Sequence, residues 1–367
     1  MLTKVLNIIS NGLKREGITS TQIEYMKYID KTDLQIDIAA VHNDVPEVVE
    51  TFEKLGCRVI HFPDRYKKLI KYCFELYKVI KKEKYNVVHV HGSSSLLAIE
   101  LFVAKIAGVK TRIAHSRNTQ CQYKIIDKLL RPFFHTTYNI ALACGTEAGD
   151  FLFKEREYEV LHNGKDFDKF HYSSEMREKI CDEFGLNGKI ILGFVGSLNE
   201  QKNPLFLIDL LEAVKKQLPN IHLIIMGDGP KREEVERYAV SRDVYGSITF
   251  TGRIANVNQI IQAVDIMLLP SLYEGLPNVV LEWQIAGIPS LISDRITKEC
   301  KVTELVHFLS IDNGVMPWVD KILEMDLCVD RMENSAIACE KMKNAGFEIR
   351  ESAARLKEIY VNGVILK

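Results

Sequence analysis

Two glutamates, Glu274 and Glu282, stand in one short stretch of the sequence, PSLYEGLPNVVLEWQIAGIPSLIS, at residues 270–293. The stretch predicts a strand end, a loop carrying Glu274, and a helix that Pro277 begins and that contains Glu282. Amides in the first turn of a helix lack partners within the helix and lie at the positive end of its dipole. The amides of residues 278–280 are therefore predicted to form a phosphate site, and the two carboxylates beside it suit the vicinal hydroxyls of a ribose or a hexose.

Other chemistries explain these residues less well. Paired carboxylates also act as acid and base in glycoside hydrolysis, but that reaction does not require a helix terminus between them. The Asp-Phe-Asp triplet at 166–168 resembles a metal-binding motif, yet no further acidic cluster accompanies it, so no metal is expected. The segment GDGPKRE at 227–233 lacks the glycine spacing of a nicotinamide-binding loop.

The composition indicates a globular protein with more than one domain. A chain of 367 residues is too long for one ordinary core, and 47% hydrophobic with 26% charged residues excludes a disordered chain. Residues 1–165 contain 25 Lys and Arg against 19 Asp and Glu, a net charge of +6, whereas the rest has 23 against 30, or −7. The basic first half is expected to meet an anionic partner or surface.

The cysteines indicate a reducing compartment. All eight are scattered without a Cys-x-x-Cys pair, so neither a zinc site nor a disulfide framework is expected. The first apolar run is too short for an export signal, and charged residues interrupt the longest one. The expected location is therefore the cytoplasm, and peripheral contact with the cytoplasmic face of a membrane is compatible with it.

Buried strands alternate with amphipathic helices along most of the chain. This alternation predicts α/β domains whose parallel sheets are covered on both faces, as in a doubly wound, Rossmann-like fold. The predicted organisation is a first domain at 1–165, a linker at 166–188, a second domain at 189–345 and a terminal helix at 346–367 that crosses back to the first domain. The carboxyl ends of the strands of both domains are expected to face a shared cleft.

Several motifs carry a resemblance to a known family. These are EGLPNVVLE followed by AGIPSLISD, together with FVGSLNEQKNP, LIIMGDGPKREEVE, ITFTGR and VLHNGKDFDKF. They resemble the retaining glycosyltransferases of family 4, which have the GT-B fold and include many enzymes of bacterial capsule and exopolysaccharide synthesis. The resemblance implies transfer of a sugar from a nucleotide diphosphate sugar, with UDP as the expected nucleotide, to a hydroxyl of a glycan or lipid-linked glycan. It implies no metal and no further cofactor, and no nucleic-acid partner is expected.

The resemblance also assigns roles to individual residues. Glu282 would bind the ribose, Glu274 the transferred sugar and Lys202 the diphosphate, while His115 would face the donor sugar. Glu274, Lys202 and His115 are thus the candidate catalytic residues. The other candidate donor-binding residues contribute mainly backbone contacts or close approach: Gly17, Gly196, Ser197, Arg253, Ile254, Leu276, Asn278, Val279 and Val280. His89 and His91 are expected on opposite faces of their strand, with one of them near the site.

Two positions depart from the family pattern. Ser197 stands where the family usually has an arginine that would grip the leaving diphosphate with two hydrogen bonds. Glu16 stands beside Gly17, where a second glycine is common. Two alternatives stay open. One is a nucleotide-sugar epimerase or phosphorylase-like enzyme on the same fold, and the other, suggested by Ser197, is a non-catalytic sugar-binding partner of a glycosyltransferase.

Two basic segments, 64–85 and 123–134, are candidates for contact with an anionic membrane surface. The first is predicted to form a helix whose apolar stripe faces its own sheet. The residues of that stripe are Leu69, Ile70, Cys73, Phe74, Tyr77 and Ile80.

Overall fold

The computed structural model of the chain describes residues 2–119, 121, 124–327 and 329–363. They form two compact α/β domains. The N-terminal domain comprises Met1–Lys165 together with Gly346–Lys367, and the C-terminal domain comprises Asp166–Ala345. Each domain is built on one parallel sheet, which confirms the predicted fold class.

The sheet of the N-terminal domain has seven strands. In chain order they are β1 (Thr3–Ile9), β2 (Leu34–Ala40), β3 (Arg58–His61), β4 (Val87–Gly92), β5 (Thr111–Ser116), β6 (Ile140–Ala143) and β7 (Glu159–Val160). They lie side by side in the order β3-β2-β1-β4-β5-β6-β7. The central strands are rich in apolar residues because both faces of the sheet are buried. On β1, Val5 and Ile9 belong to the core on one face, and Leu6 and Ile8 to the core on the other.

Helices cover both faces of this sheet. They are α1 (Gly17–Tyr28), α2 (Pro46–Lys54), α3 (Leu69–Glu83), α4 (Ala98–Ile106), α5 (Lys124–Phe134) and α6 (Thr146–Phe153). The first two pack on one face, and α3, α4 and α6 pack on the other. On α3 the residues that face the sheet are Tyr72, Leu76 and Ile80. The predicted stripe is wrong at Ile70 and Phe74, which are 88% and 57% exposed. No helix in the described part of the chain has both the length and the apolar composition needed to cross a membrane.

The C-terminal domain repeats the same architecture with six strands. They are β8 (Ile190–Val195), β9 (Ile221–Met226), β10 (Ile248–Gly252), β11 (Ile266–Leu269), β12 (Ser290–Ser293) and β13 (Val306–Leu309), in the spatial order β10-β9-β8-β11-β12-β13. Its helices are α7 (Phe167–Phe170), α8 (Ser174–Phe184), α9 (Pro204–Lys215), α10 (Arg232–Ser241), α11 (Val257–Ile260), α12 (Asn278–Ile285), α13 (Met316–Glu324) and α14 (Arg331–Asn344).

Residues 166–188, predicted to be a linker, instead contain α7 and α8 and belong to the C-terminal domain. Ser173 caps α8 by accepting a hydrogen bond from the amide of Met176, and Gly185 ends the helix in the left-handed conformation. The helix buries Ile180 and Cys181. A polar segment can thus form a packed helix, because a few apolar residues on one face suffice to dock it.

The last described helix, α15 (Ile349–Asn362), belongs to the N-terminal domain and packs on α1. Its Arg355 forms a two-point ion pair with Glu159 of β7, with distances of 2.7 and 2.8 Å. The first residue of α15 passes very close to Gly164, where an added Cβ atom would lie 2.7 Å from the Cα atom of Ile349. A glycine is therefore required at this crossing.

The strand order reverses once in each sheet. In the N-terminal domain the reversal lies between β1 and β4, and in the C-terminal domain it lies between β8 and β11. Loops leave a parallel sheet in opposite directions at such a point, and ligands of open α/β domains bind beside it at the carboxyl ends of the strands. The loops after β8 and β11 are therefore the expected binding loops of the C-terminal domain.

Candidate functional site

Lys202 and Glu274 form an ion pair at the strand-order reversal of the C-terminal domain. Lys202 lies in the loop after β8 and Glu274 in the loop after β11, and the Lys202 Nζ atom is 2.5 Å from Glu274 Oε1. Their side chains are only 17% and 10% exposed. The sequence prediction that both lie at the carboxyl edge of this sheet thus matches their position, and the pairing itself is a finding of the structure.

Gln201 links the same two loops. Its side-chain Nε2 donates to the backbone carbonyl of Tyr273 at 2.9 Å and to Glu274 Oε2 at 3.3 Å. Its backbone carbonyl accepts from the amide of Leu272 at 2.8 Å. Both oxygens of Glu274 are therefore held, and the two loops are fixed to each other before any ligand binds.

The loop after β8 is shaped by close packing on glycine. Lys202 lies over Gly196, where an added Cβ atom would be 3.4 Å from Lys202 Cε and 2.9 Å from the Phe194 ring. Gly227, after β9, has φ +146°, and a Cβ atom there would lie 1.9 Å from the carbonyl oxygen of Gly196. The side chain of Asn199 caps the turn by accepting from the amide of Lys202 at 3.1 Å. The packing on glycine and the cap by Asn199 therefore fix the position of Lys202 in the loop.

Helix α12 begins one residue later than predicted. Pro277 is its N-cap, and Asn278 is the first helical residue. The amide of Val280 donates to the Pro277 carbonyl at 3.1 Å, so the prediction that this amide is free is wrong. The tight first turn of the helix uses the Val280 amide in this hydrogen bond. Helix geometry leaves the amides of Asn278 and Val279 without a partner within the helix. Leu276 precedes them in the loop and is half-buried.

Glu282 lies one turn into α12 and is half-buried. It is four residues after Asn278, so the two side chains share one face of the helix. Helical side chains lean toward the N-terminus, and the Glu282 carboxylate is therefore directed along the face that ends at the first-turn amides. The predicted arrangement of an anion site beside an acid is consistent with this geometry.

The far end of α12 is anchored by buried polar contacts. Gln284 accepts from the amide of Thr303 at 2.9 Å and donates to the Cys300 carbonyl at 2.8 Å. Ser335 of α14 donates to the Ile285 carbonyl at 2.6 Å, and Arg331 donates to the Ala286 carbonyl at 3.0 Å. Hydrogen bonds of this buried kind fix the orientation of the helix and so of its N-terminus.

The remaining predicted residues of this domain lie along the same sheet edge. Gly196 and Ser197 follow β8, and Ser197 is exposed. Arg253 and Ile254 follow Gly252 at the end of β10, with Arg253 exposed and Ile254 half-buried. The structure therefore places every predicted donor-binding residue of the C-terminal domain at the carboxyl ends of β8, β10 and β11 or at the start of α12.

His115, in the N-terminal domain, belongs to a buried polar network. It lies on β5 with no exposed surface, and its Nδ1 is 3.0 Å from Nε2 of His89 on β4. The rings of His89 and His91 have centroids 4.0 Å apart, so the two share one face of β4. The prediction of opposite faces is wrong, because residues two positions apart on a strand point to the same side.

Arg117 sets the protonation of these rings. It donates to His91 Nδ1 at 3.1 Å, to His115 Nδ1 at 3.2 Å and to the Asn163 side chain at 2.9 Å. A guanidinium can only donate, so both Nδ1 atoms are unprotonated. His89 then donates its Nε2–H to His115 and accepts from the Tyr360 hydroxyl at 2.8 Å. All three rings are neutral in this pattern.

Burial and the positive charge of Arg117 lower the pKa of His89, His91 and His115 well below the ordinary value. Ring nitrogens of the three lie within 4.8 Å of one another, as metal ligands do. A guanidinium that occupies two of the Nδ1 lone pairs opposes a cation at this position. Arg117 is the residue that sequence reasoning missed, although its place in HSRN, directly after a strand, marks the carboxyl edge of the sheet.

Gly17 is the first residue of α1 and is exposed. The glycine with the unusual backbone in this region is Gly12, which has φ +86° and packs against His42, whose carbonyl oxygen would lie 1.8 Å from an added Cβ atom. The close packing of the loop after β1 against His42 therefore depends on Gly12. Glu16 is the exposed N-cap residue of α1.

Two family models match the chain, one in each domain. "Glycosyl transferase 4-like" matches residues 14–144, and "Glycosyl transferases group 1" matches residues 189–325. A relative named as the glycosyltransferase EpsF of Bacillus subtilis (strain 168) is 27% identical over 97% of this chain and 96% of its own length. A UDP-Gal:alpha-D-GlcNAc-diphosphoundecaprenol alpha-1,3-galactosyltransferase of Escherichia coli is 26% identical over 85% of this chain and 83% of its own.

The solved structure of HepE from Anabaena in complex with UDP superposes with a TM-score of 0.81 at 16% identity, covering 99% of this chain and 100% of that one. At this identity the likeness shows the fold. The two models together match most of the chain, in the order of its two domains. The chain therefore belongs to the family 4-like glycosyltransferases and has their GT-B fold.

Proposed function

We propose that this glycosyltransferase moves a sugar, with retention of the anomeric configuration, from a UDP-sugar to a hydroxyl of a lipid-linked glycan in the synthesis of a surface polysaccharide. The observation that carries the proposal is the placement of the largely buried Lys202–Glu274 pair at the same sheet edge as the start of α12. A cation, free helix amides and carboxylates together match the groups of a nucleotide diphosphate sugar.

Each group has a role in the proposed donor complex. The amides of Asn278 and Val279 and the ammonium of Lys202 would contact the diphosphate. Glu282 would accept hydrogen bonds from the ribose hydroxyls, and Glu274 from the hydroxyls of the transferred sugar. The ion pair would then serve two purposes, because it holds Glu274 in place and fixes the position of the Lys202 ammonium near the phosphate.

In the proposed reaction the bond between the sugar C1 and the diphosphate oxygen breaks, and a bond from the acceptor oxygen to C1 forms. The acceptor proton passes to the leaving phosphate oxygen. Negative charge grows on the diphosphate as the bond breaks, so donors preorganised there lower the barrier most. Both carboxylate oxygens of Glu274 are already engaged, which favours a positioning role for it over that of a nucleophile.

The relatives support the choice of donor and acceptor class. The Escherichia coli relative is named for a UDP-galactose donor and a diphosphoundecaprenol-linked acceptor, and HepE was solved with UDP. A capsular polysaccharide biosynthesis glycosyltransferase, CapH of Staphylococcus aureus, is 22% identical over 98% of this chain and 99% of its own length. These names support polysaccharide synthesis as the setting of the reaction.

Binding of UDP tests the proposed donor site directly. UDP at 100 times its dissociation constant is expected to raise the free energy of unfolding by about 2.7 kcal/mol. Replacing Glu282 by alanine removes charged hydrogen bonds to the ribose and should weaken UDP binding about 10- to 100-fold, measured by titration calorimetry. Glu340→Ala, an exposed change on α14, is the matched control and should bind UDP as the wild type does. Equal binding by Glu282→Ala and wild type would place the ribose elsewhere.

Ser197 offers a gain-of-function test. Because it is exposed in the loop after β8, an arginine there can extend without displacing the core. Ser197→Arg is expected to tighten UDP binding about tenfold by adding a bidentate contact to the diphosphate. Ser197→Gln, which adds a shorter polar side chain without charge, should change binding little. Unchanged UDP affinity in Ser197→Arg would show that this loop does not reach the diphosphate. A separate assay addresses the non-catalytic alternative, because turnover of a UDP-sugar by the purified wild-type chain alone would exclude it.

A further inference from the structure

Arg117 is a buried cation without a carboxylate partner in the described part of the chain. It is the first residue after β5, and its guanidinium donates to His91, His115 and Asn163. These partners are two neutral rings and an amide, so none of them offsets the positive charge. Burial lowers the pKa of Arg117, and no carboxylate of a described residue opposes that shift. A buried charge without a counter-ion is costly to a fold, so its presence points to an anion that this cation meets.

The histidine network fixes the guanidinium at the carboxyl edge of the sheet. The Nε and Nη2 atoms of Arg117 are both 3.1 Å from His91 Nδ1, and Nη2 is 3.2 Å from His115 Nδ1. The backbone is held as well, because the Arg117 amide donates to the Gly92 carbonyl at 3.0 Å. The histidines have no exposed surface, whereas Arg117 and Asn163 keep 8% and 7%. The network therefore comes nearest to solvent at Arg117 and Asn163.

The groups left unused at this edge are hydrogen-bond donors. Arg117 uses its Nε–H and both Nη2–H groups on the two rings and one Nη1–H on Asn163, which leaves the second Nη1–H. Asn163 accepts with its side-chain oxygen, so its NH2 group remains as a donor next to the guanidinium. Deeper in the network, the Nε2 atoms of His91 and His115 also have no partner among the residues that the structure describes. Donors beside a positive charge match a ligand that only accepts, such as a phosphate.

We propose that Arg117 and Asn163 bind a phosphate of the lipid-linked acceptor, and that the histidine network positions Arg117 for this contact. The inference rests on the proposed function, because a glycan carried on a lipid is joined to it through phosphate. The donor diphosphate is already assigned to Lys202 and the start of α12, so the acceptor phosphate is the anion left for Arg117. The enzyme should then prefer acceptors that carry phosphate over neutral glycosides.

Asn163→Asp is the informative variant, because it keeps Arg117 and supplies the missing carboxylate. The new side chain has nearly the same size and is expected to pair with the guanidinium, which stabilises the N-terminal domain and blocks the anion. Arg117→Met tells less, since removing the donor to both rings can unfold the network. Asn313→Asp, an exposed change in the C-terminal domain, is the matched control and should behave as the wild type does.

Inorganic pyrophosphate tests the site without turnover. With UDP present to fill the donor site, pyrophosphate is expected to slow hydrogen exchange of the amides of β4 and β5 in the wild type. Asn163→Asp should weaken this binding about tenfold, because the new carboxylate takes the charged hydrogen bonds of the anion. Without pyrophosphate, the same amides should exchange more slowly in the variant than in the wild type. This measurement reports the N-terminal domain alone, so its failure is distinguishable from a failure of the proposed donor site.

Steady-state kinetics distinguishes the two sources of phosphate. With a short-chain polyprenyl diphosphate sugar as the acceptor, Asn163→Asp should raise the acceptor KM about tenfold and leave UDP affinity unchanged. With a neutral alkyl glycoside of the same sugar, the variant should have the KM of the wild type. Lost UDP affinity with an unchanged acceptor KM would assign Arg117 to the donor diphosphate and overturn the inference. Pyrophosphate binding that Asn163→Asp does not weaken would also overturn it.

Discussion

Replacing Lys202 by methionine is expected to lower kcat for sugar transfer by about 100- to 1,000-fold while changing the KM for the donor less. The proposed role of Lys202 is to stabilise charge that grows on the leaving diphosphate, and removing one such preorganised donor costs about that factor in other enzymes. An interaction that strengthens in the transition state affects kcat more than binding of the ground state. Steady-state kinetics with a UDP-sugar and an acceptor measures both constants.

The ion pair complicates this experiment, and the structure shows how to correct for it. Lys202→Met leaves the mostly buried carboxylate of Glu274 without its partner, which destabilises the fold as well as the transition state. Lys202→Met combined with Glu274→Gln removes both charges and should recover stability without recovering kcat. Lys216→Met, an exposed change next to α9, is the control for loss of a lysine. If kcat returns with stability in the double variant, Lys202 has only a structural role.

Local patterns predicted the two sheets well. Runs such as KIILGFVGS and IHLIIMG combine apolar residues with flanking glycine, and each became a buried strand of the C-terminal domain. The exact first residue of a helix depends on whether the residues at its start adopt the helical or the capping conformation. At Pro277 the chain forms a cap with a tight first turn, and this moves the free amides to Asn278 and Val279. Proline fixes the neighbourhood of a helix start but not its first residue.

The polar segment 166–188 shows a second limit of prediction from local sequence. Composition indicated a linker, but tertiary contacts decide whether a short amphipathic helix is docked. Arg177 of α8 donates to the Ala263 carbonyl at 2.8 Å and pairs with Asp265 at 2.6 Å. Those partners lie 86 and 88 residues away in the sequence, so no local pattern could reveal them.

The predicted functional residues of the two domains differed in the same way. In the C-terminal domain, Glu274, Glu282 and the start of α12 were found from a single motif because they are close in sequence. In the N-terminal domain the buried network joins His89 to Tyr360, which is 271 residues away. A lone histidine in a strand carries no signal for such partners, so the full burial of His115 and its contact with Arg117 had to come from the structure.

That network predicts a strong dependence of stability on pH. The pKa values of His89, His91 and His115 are well below 6.5 in the folded domain, with burial as the largest cause and Arg117 adding to it. The unfolded chain therefore binds protons near pH 6.5 that the folded domain does not bind. Stability is fully present above that pH and is lost as the pH falls below it.

The expected loss is large because three groups act together. Each histidine that stays neutral in the folded domain costs on the order of 1 kcal/mol of stability one pH unit below the unfolded pKa, so the free energy of unfolding of the N-terminal domain should fall by roughly 3 to 4 kcal/mol between about pH 7.5 and about pH 5.5. Burial also lowers the pKa of His162 in this domain, which acts in the same direction. Asp64, whose pKa is held at about 2 by His42 and nearby amides, changes charge only at lower pH.

Hydrogen exchange of the amides of β4 and β5 measures this loss in the right domain, because both tryptophans, Trp283 and Trp318, lie in the C-terminal domain and their fluorescence reports that domain. His115→Gln removes one titrating group and should reduce the difference between the two pH values by about one third. His61→Gln, at an exposed position of β3, should leave the difference unchanged, since its side chain stays in solvent in both states. A difference below about 1 kcal/mol in the wild type, or one that His115→Gln does not reduce, would mean that the three rings take up protons in the folded domain and that Arg117 does not keep them neutral.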